Sequence, residues 1–429
     1  TRLARGIWRD KERPILINNW EATYFDFNEE KILQIARKAK EIGIELFVLD
    51  DGWFGKRNWD NCSLGDWYPN LEKLPDGIAG LSKKIEEMGM KFGLWFEPEM
   101  VNKDSDLFRE HPDWLLADIR RNYCHSRNQY ILDFSKKEVV DHIHRKMQKI
   151  LSESSISYVK WDMNRSFSEV FSNGNGKSYQ GKVRHKYILG VYDLYERLIQ
   201  EFPEVLFESC ASGGARFDPG MLYYAPQAWT SDNTDAVDRI KIQYGTSYVY
   251  PLSSIGSHVS ASPNHQVFRN TSLDIRANVA YFGTFGYELD ITKLPEKELD
   301  QMKVQVKFMK ANRKLLQQGT FYRLQSPFEN NSSAWEVVSE EKDTAFAAYF
   351  RVLEPSHGKF ERIYLKGLDP EKKYQVKECF GAKIDCGEHY GDELMYAGLS
   401  VSDCSSGLPG VAREQQGDFF SRLFEIREV

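Results

Sequence analysis

The sequence lacks an excess of basic residues: 57 Lys and Arg stand against 63 Asp and Glu, for a net charge of −6. Proteins that bind nucleic acid need a basic face to neutralise phosphates, so this balance argues against a nucleic-acid partner. Long apolar runs are also missing, since none approaches the roughly 20 residues that cross a bilayer. We therefore expect no membrane partner. The 41% hydrophobic and 28% charged residues are typical of a globular protein.

The cysteines show no CxxC pair and no spacing typical of a disulfide framework. The six are Cys62, Cys124, Cys210, Cys379, Cys386 and Cys404. We expect them to be free thiols in a reducing cytoplasm. The first residues contain no apolar core of an export signal. Because Thr1 is not an initiator Met, a natural start further upstream stays open.

Metal-binding and cofactor motifs are lacking as well. His258 and His265 do not form an HExxH or similar zinc arrangement. Asp50 and Asp51 could bind a divalent cation, but no third ligand follows at metal spacing, and a carboxylate pair facing hydroxyl groups fits equally well. We therefore expect neither a metal nor a cofactor.

A short apolar strand, polar residues at its end and an amphipathic helix recur along the first three-quarters of the chain. Eight segments have strand character, namely 15–17, 46–49, 92–96, 130–132, 158–161, 205–207, 227–230 and 252–259. Their nearly continuous apolar character is typical of parallel strands buried on both faces. Helical patterns such as 29–42 and 182–201 lie between them. This alternation predicts an α/β fold, a (β/α)8 TIM barrel, with a doubly wound open sheet as the main alternative.

The alternation of strand and helix patterns ends after Gly319, where short strand-like segments are separated by turn signals. This pattern predicts a small antiparallel β-sandwich domain at the C-terminus. We place the boundary near residue 323, which gives a catalytic barrel over 1–322 and a β-sandwich domain over 323–429.

Polar residues follow the predicted strands, and carboxylates follow six of the eight. The residues at the strand ends are Asn18, Asn19 and Trp20; Asp50 and Asp51; Glu97 and Glu99; Asp133; Asp162 and Asn164; Glu208, Ser209 and Cys210; Ser231 and Asp232; and Ser257 and His258. The active site of a (β/α)8 barrel lies at the carboxyl ends of its strands, so these side chains should converge. A convergent acidic pocket indicates a ligand rich in hydroxyl groups, or a metal.

Two aspartates have the attributes that glycoside hydrolysis requires, which are an ionised carboxylate and a carboxyl able to donate a proton. Asp162 and Lys160 are two positions apart on a predicted strand, so their side chains lie on the same face. The positive charge of Lys160 would keep Asp162 ionised. Nearby acidic groups should raise the pKa of Asp232 and keep it protonated. Asp232 could instead cap the helix that follows, although Asp235 is the better candidate for that cap.

At these same residues the chain resembles the retaining α-galactosidases of glycoside hydrolase family 36, the melibiase-like enzymes. The matching stretches are NNWE at 18–21, LDDGWF at 49–54, GLWFEPEM at 93–100, KWDMN at 160–164, ESCASGGARFD at 208–218, WTSDNTD at 229–235 and PNHQ at 263–266. Several motifs in one order are far more specific than any one of them.

The resemblance implies roles for particular residues. Asp162 matches the nucleophile of the family and Asp232 its general acid/base. The residues that match the substrate-binding positions, or that belong to the same motifs, are Asp50, Asp51, Trp95, Arg127, Lys160, Asn164, Cys210, Gly213, Trp20 and Trp229. Cys210 and Gly213 match the region around the 2-hydroxyl group, where a crowded wall favours galactose over N-acetylgalactosamine.

The resemblance therefore predicts a retaining, exo-acting α-galactosidase that hydrolyses oligosaccharides such as melibiose and raffinose. An α-N-acetylgalactosaminidase and a galactosyl-transferring transglycosylase of the same family remain alternatives. A non-catalytic galactoside-binding fragment is a further alternative, because members of the family usually carry an N-terminal β-sandwich domain that this sequence does not contain. A homo-oligomer stays open for the same reason.

Overall fold

The fold is seen in a computed structural model that describes residues 3–356, 361–380, 385–401 and 417–429. Eight strands form a closed barrel in the order β1-β8-β7-β6-β5-β4-β3-β2. These strands are β1 Leu16–Asn18, β2 Leu46–Leu49, β3 Lys91–Phe96, β4 Ile156–Trp161, β5 Leu206–Ser209, β6 Gln227–Trp229, β7 Ile255–Ser260 and β8 Thr284–Glu288. The predicted barrel is confirmed.

The barrel strands pair in parallel, with Leu46 of β2 opposite both Leu16 of β1 and Lys91 of β3. Every residue of β1 and β2 is buried, as expected for strands covered on both faces. At the base of the barrel, Trp8 packs in one buried cluster with Leu16, Leu46, Val48, Tyr158 and Leu206. Trp8 also donates its indole N–H to the carbonyl oxygen of Glu204, at 3.1 Å.

One predicted barrel strand is wrong. Tyr130–Ile131 pairs antiparallel with Met100–Val101 in a separate two-stranded sheet. The fully described stretch between β3 and this segment holds the strand Met100–Val101, the five-residue helix Asp106–Glu110 and one 3-10 turn. Parallel neighbours are usually joined by a full crossover helix, and none of these elements is one. Asp133 therefore follows a short hairpin arm, not a barrel strand.

The eighth barrel strand is Thr284–Glu288, which the sequence analysis did not identify. All five of its residues are buried, and the strand ends in a carboxylate, as several of the others do. The predicted strand 252–259 corresponds to β7. Glu288 ends β8 and is therefore a further carboxylate at a strand end.

Twelve α-helices are found among the described residues, and several have well-defined ends. They are α1 Trp20–Thr23, α2 Glu29–Ile42, α3 Gly77–Glu87, α4 Asp106–Glu110, α5 Lys137–Glu153, α6 Lys177–Gln180, α7 Val183–Glu201, α8 Pro219–Tyr224, α9 Ala236–Thr246, α10 Leu273–Ala280, α11 Glu296–Gln318 and α12 Gly391–Tyr396. The predicted helix 29–42 is confirmed. Asn28 caps its start by accepting from the backbone N–H of Lys31, and Gly43 ends it with a left-handed φ of 96°. None of the described helices is long and apolar enough to cross a membrane.

The chain divides into two compact units, Thr1–Asp232 with Tyr287–Val306, and Asn233–Gly286 with Lys307–Val429. The second unit contains a six-stranded antiparallel sheet in the order β9-β10-β11-β14-β12-β13. Its strands are β9 Thr320–Gln325, β10 Ser332–Val338, β11 Thr344–Arg351, β12 Lys373–Glu378, β13 Asp385–Tyr390 and β14 Phe420–Glu428. A smaller sheet pairs Arg362–Ile363 with Leu399–Ser400. Ile363 and Leu399 share one buried cluster with Ala347 and Tyr349 of the large sheet, so the predicted C-terminal antiparallel β domain is confirmed.

Gly190, inside α7, provides a test of the packing around the barrel. A Cβ atom at this position would lie 2.0 Å from the carbonyl oxygen of Phe134. Alanine favours a helix interior over glycine by about 1 kcal/mol, but a clash with rigid backbone outweighs that gain. We expect Gly190→Ala to destabilise the protein by about 2 kcal/mol or more, as overpacking does. The free energy of unfolding measured in urea tests this.

Gly181 offers the matched control. A Cβ atom there would meet no heavy atom within 4 Å, and the φ of −66° suits alanine. Gly181→Ala should leave the stability unchanged or raise it by a few tenths of a kcal/mol. Equal stability of the two variants would contradict the packing described for α7.

Candidate active site

The first compact unit brings six carboxylates to the same end of the barrel. They are Asp50, Asp51, Glu97, Asp162, Asp232 and Glu288. Their proximity is seen in their mutual electrostatic effects: the charge of Asp162 raises the pKa of Asp51, Glu97 and Asp232. The predicted convergence therefore holds for Asp50, Asp51, Glu97, Asp162 and Asp232, and Glu288 joins them. Like charges this close need compensating cations and donors.

Asp162 follows β4 and is buried, with 7% of its surface exposed. Its Oδ2 accepts from the indole N–H of Trp95 at 3.2 Å and from the amide of Asn164 at 2.8 Å. Its Oδ1 accepts from the backbone N–H of Met163 at 2.9 Å. These three hydrogen bonds hold the carboxyl group of Asp162 in one orientation.

Lys160 lies near Asp162 but bonds to a different aspartate. Its Nζ donates to Oδ2 of Asp50 at 2.7 Å. Burial of Lys160 lowers the pKa of the ammonium, but Asp50 and then Glu288 outweigh that effect and raise the pKa well above its usual value. Lys160 therefore remains charged. It neutralises Asp50 directly and acts on Asp162 only through space.

Asp51 is neutralised in a similar way by Arg57. The guanidinium donates to both carboxylate oxygens, at 3.0 and 2.8 Å. Burial still raises the pKa of Asp51, because the paired Arg57 offsets only part of the desolvation. Asp50 and Asp51, the neighbouring pair expected to face hydroxyl groups, are thus each held by their own cation.

Asp232 follows β6 in a contrasting environment. Its own side chain is exposed to solvent, yet protein atoms surround it closely enough for desolvation to raise its pKa. The charge of Asp162 raises that pKa further, while the charge of Lys160 lowers it. The sequence analysis expects neighbouring acidic groups to raise the pKa of Asp232, and the pKa is shifted in that direction. The helix N-cap is Asp235, whose side chain accepts from the backbone N–H of Asp238.

Gly213 fixes the position of the backbone next to Asp232. Its φ of 81° is left-handed, and a Cβ atom would lie 2.6 Å from the Cα of Ser231 and 3.0 Å from the N of Asp232. Only glycine allows the two loops to approach this closely. Cys210 begins the same loop; it is buried, and its backbone N–H donates to the carbonyl oxygen of Trp161.

The three tryptophans and Arg127 have different exposures. Trp95 is 2% exposed and reaches the site through its bond to Asp162. Trp229 is buried in β6, whereas Trp20 is partly exposed and makes edge-on contacts to two neighbouring rings. Arg127 is exposed on a tight turn and donates to the hydroxyl of Ser212 at 3.2 Å.

Other strand-end residues belong to the packed interior. Glu99 accepts two hydrogen bonds from Arg216, at 2.8 and 2.7 Å, and one from the indole of Trp161. Glu208 accepts from Gln227 at 2.8 Å within the barrel. Asp133 accepts from the hydroxyl of Ser135 at 2.5 Å, beyond the hairpin described above.

Glu288 and Arg57 are site residues that the sequence analysis missed. Glu288 could have been found from the segment 284–290, whose apolar character and terminal carboxylates repeat the pattern of the other strands. Arg57 lies in a loop without periodicity, so no sequence signal connects it with Asp51. Among the described residues, no group of three or more His, Cys, Asp or Glu side chains could hold a metal ion.

Two family models match the chain. The melibiase model matches residues 1–319, and the model of the glycosyl hydrolase family 36 C-terminal domain matches residues 332–426. Among curated proteins, the chain is 54% identical over 429 residues to the alpha-galactosidase AgaA of Geobacillus stearothermophilus, covering 100% of this chain and 56% of that protein. It is 48% identical over 431 residues to the alpha-galactosidase Mel36A of Lactobacillus acidophilus, with the same coverage of 100% and 56%.

Solved structures give the same result. The crystal structure of AgaA matches with a TM-score of 0.93 and 54% identity, over 99% of this chain and 57% of that one. A variant of AgaA in complex with raffinose matches with a TM-score of 0.93 and 53% identity, over 100% of this chain and 57% of that one. The chain thus spans little more than half the length of these relatives. It belongs to the melibiase family of glycosyl hydrolases, family 36.

Proposed function

We propose that the protein is a retaining, exo-acting α-galactosidase that works by double displacement. The observation that carries the proposal is the contrast between two neighbouring aspartates. Asp162 is buried among three hydrogen-bond donors, whereas Asp232 is solvent-exposed with a raised pKa. Glycoside hydrolysis with retention needs one carboxylate held for attack and one carboxyl group that retains a proton, and these different surroundings support that division.

In the first step, a carboxylate oxygen of Asp162 attacks the anomeric carbon while Asp232 protonates the departing glycosidic oxygen. The bond between that carbon and the leaving oxygen breaks, and a galactosyl ester on Asp162 forms. In the second step, Asp232, now ionised, removes a proton from water, and the water oxygen displaces Asp162. The products are α-galactose and the shortened sugar, and both carboxyl groups return to their starting states.

The galactose hydroxyl groups would bind to the charged pairs beside Asp162. Asp50 and Asp51 are oriented by Lys160 and Arg57, and such charge-assisted acceptors suit the hydroxyl groups at positions 4 and 6. Relatives with this fold have been seen with raffinose and with stachyose. These complexes support α-galactosyl oligosaccharides as substrates.

A preference for galactose over N-acetylgalactosamine is supported by Cys210 and Gly213, which match the family's region around the 2-hydroxyl group; Gly213 lies directly against the backbone of Ser231. Hydrolysis of 4-nitrophenyl α-galactoside, but not of its N-acetyl analogue, is the expected result. Product analysis at high sugar concentration measures transglycosylation. Binding of galactose without turnover would favour the non-catalytic alternative.

We further propose that the barrel domain and the β domain meet near residue 323. The family models, which end at 319 and begin again at 332, support this division. We also propose a cytoplasmic protein, which is supported by the free thiols of Cys62, Cys124, Cys210, Cys379 and Cys386. Cys404, the sixth cysteine, lies outside the described residues.

The roles of the two aspartates can be separated with azide. Asp232→Ala should lower kcat on raffinose by about 10²- to 10⁴-fold, as loss of a general acid does, but should spare activated aryl galactosides. Added azide should then give α-galactosyl azide, because the ester on Asp162 still forms. Asp162→Ala should abolish hydrolysis of all substrates. Azide should then attack the anomeric carbon directly and give β-galactosyl azide. NMR spectra of the products distinguish the two anomers.

Asp26 supplies the control, since its side chain is fully exposed and lies outside the site. Asp26→Ala should retain the activity of the parent with every substrate. The same azide anomer from both catalytic variants would contradict the assignment of separate roles to Asp162 and Asp232.

The electrostatic coupling of the two aspartates can be measured directly. Because the charge of Asp162 raises the pKa of Asp232, Asp162→Asn should lower the pKa of Asp232. NMR titration of a ¹³C-labelled carboxyl group reports this value. In the parent, kcat/KM should fall as the pH rises through the pKa of Asp232, since the proton donor is lost. An unchanged Asp232 titration in Asp162→Asn would show that the two groups do not interact.

A further inference from the structure

Ser212 connects two segments of the site. It lies in the loop after β5 with a left-handed φ of 48°, a conformation that serine seldom adopts. Its backbone N–H and its hydroxyl both reach Oδ1 of Asn164, at 3.1 and 3.0 Å. Its hydroxyl also receives a hydrogen bond from Nη1 of Arg127, at 3.2 Å.

The donors and acceptors that each group offers fix the direction of these hydrogen bonds. A guanidinium can only donate, so the Ser212 oxygen must accept from Arg127, and its single proton is directed to Asn164. The backbone N–H of Ser212 can also only donate. The atom of Asn164 that faces Ser212 must therefore be the amide oxygen, which directs the NH2 group towards Asp162.

The opposite orientation of the amide is unfavourable at both ends. It would place two donors of Ser212 against the NH2 group of Asn164 and the amide oxygen against the carboxylate of Asp162. Asn164 is also held through its main chain, because its backbone N–H donates to Oε1 of Glu97. Only the side-chain amide of Asn164 remains to be oriented, and Ser212 donates two hydrogen bonds to its oxygen.

We infer that Ser212 is a positioning residue for the nucleophile, which acts by orienting Asn164 so that Arg127, Ser212 and Asn164 form a chain of donors ending on Oδ2 of Asp162. This inference rests on the proposed function, since it concerns the carboxylate that attacks the anomeric carbon. Hydrogen bonds in such a chain polarise one another. The chain holds one oxygen of Asp162, so that the attacking geometry is set before substrate binds.

The test compares Ser212→Gly with Ser212→Ala. Both remove the hydroxyl, but glycine fits the left-handed φ while alanine remains strained there. We expect both variants to lower kcat about five- to tenfold, the effect of one hydrogen bond. KM for 4-nitrophenyl α-galactoside should change less than twofold. If glycine restores the activity of the parent, the backbone alone matters and the inference is wrong.

A double-mutant cycle isolates the route through Asn164. In an Asn164→Ala background, Ser212→Gly should have almost no further effect on kcat, because the group it orients is gone. Additive losses would overturn the inference and indicate an effect through Arg127 alone. Ser155→Ala is the matched control, since the hydroxyl of Ser155 bonds to Glu86 on the outer surface and should not affect kcat.

The same measurements distinguish the inference from the proposed function. A parent protein that hydrolyses α-galactosides, together with Ser212 variants of equal kcat, would overturn the inference alone. A folded parent that does not hydrolyse α-galactosides, and forms no ester on Asp162 with a 2-fluoro galactosyl trap, would overturn the proposed function.

Discussion

Mutual repulsion among carboxylates is the constraint around which this site is built. Parallel strands in a barrel direct their carboxyl ends to one opening, and here six carboxylates meet there. The structure compensates them unequally. Lys160 neutralises Asp50 and Arg57 neutralises Asp51, whereas Asp162 receives neutral donors and burial raises the pKa of Glu97 to about 8. Because compensation is unequal, chemically identical groups can hold different protonation states within one pocket.

This inequality also separates binding from chemistry. The two aspartates with cationic partners are acceptors held in fixed orientations, which suits recognition of hydroxyl groups. In the proposed double displacement Asp162 alternates between a carboxylate and an ester, and a directly bonded cation would oppose its conversion to the neutral form. Neutral donors from Trp95, Asn164 and Met163 orient it with a smaller penalty. Glu99 shows the other extreme, because its bidentate pair with Arg216 locks it into the packing.

Much of the barrel could be predicted from local sequence, because buried strands and amphipathic helices carry distinct periodicities. The helix 29–42 is predicted for this reason, whereas the cap at Asp235 is predicted from the preference for aspartate just before a helix. The error at 130–132 arises because an apolar triplet followed by Asp133 resembles a barrel strand, and only the lack of a full crossover helix between β3 and the triplet argues against it. The strand Thr284–Glu288 goes unpredicted for the same reason, because the segment 130–132 completes a set of eight strand-like segments without it. Pairings such as Arg57 with Asp51 depend on loop geometry, which has no period in the sequence.

Three residues near the site adopt a backbone conformation that normally favours glycine. Arg127, Asn128 and Ser212 have φ values of 53°, 58° and 48°, each costing roughly 1 kcal/mol or more in a non-glycine residue. Arg127 and Asn128 are the central residues of a turn closed by bonds between Ser126 and Gln129, the arrangement of a type I′ turn that glycine would favour. Buried Asn102 holds this turn by donating to the carbonyl oxygen of Asn128 at 2.8 Å, and it accepts from Arg57 at 3.1 Å. Glycine would relieve the strain but would provide neither a guanidinium nor a hydroxyl. The surrounding hydrogen bonds therefore maintain strained backbone where side-chain chemistry is needed, and through Asn102 they join the loop that orients Asp51 to the turn that carries Arg127.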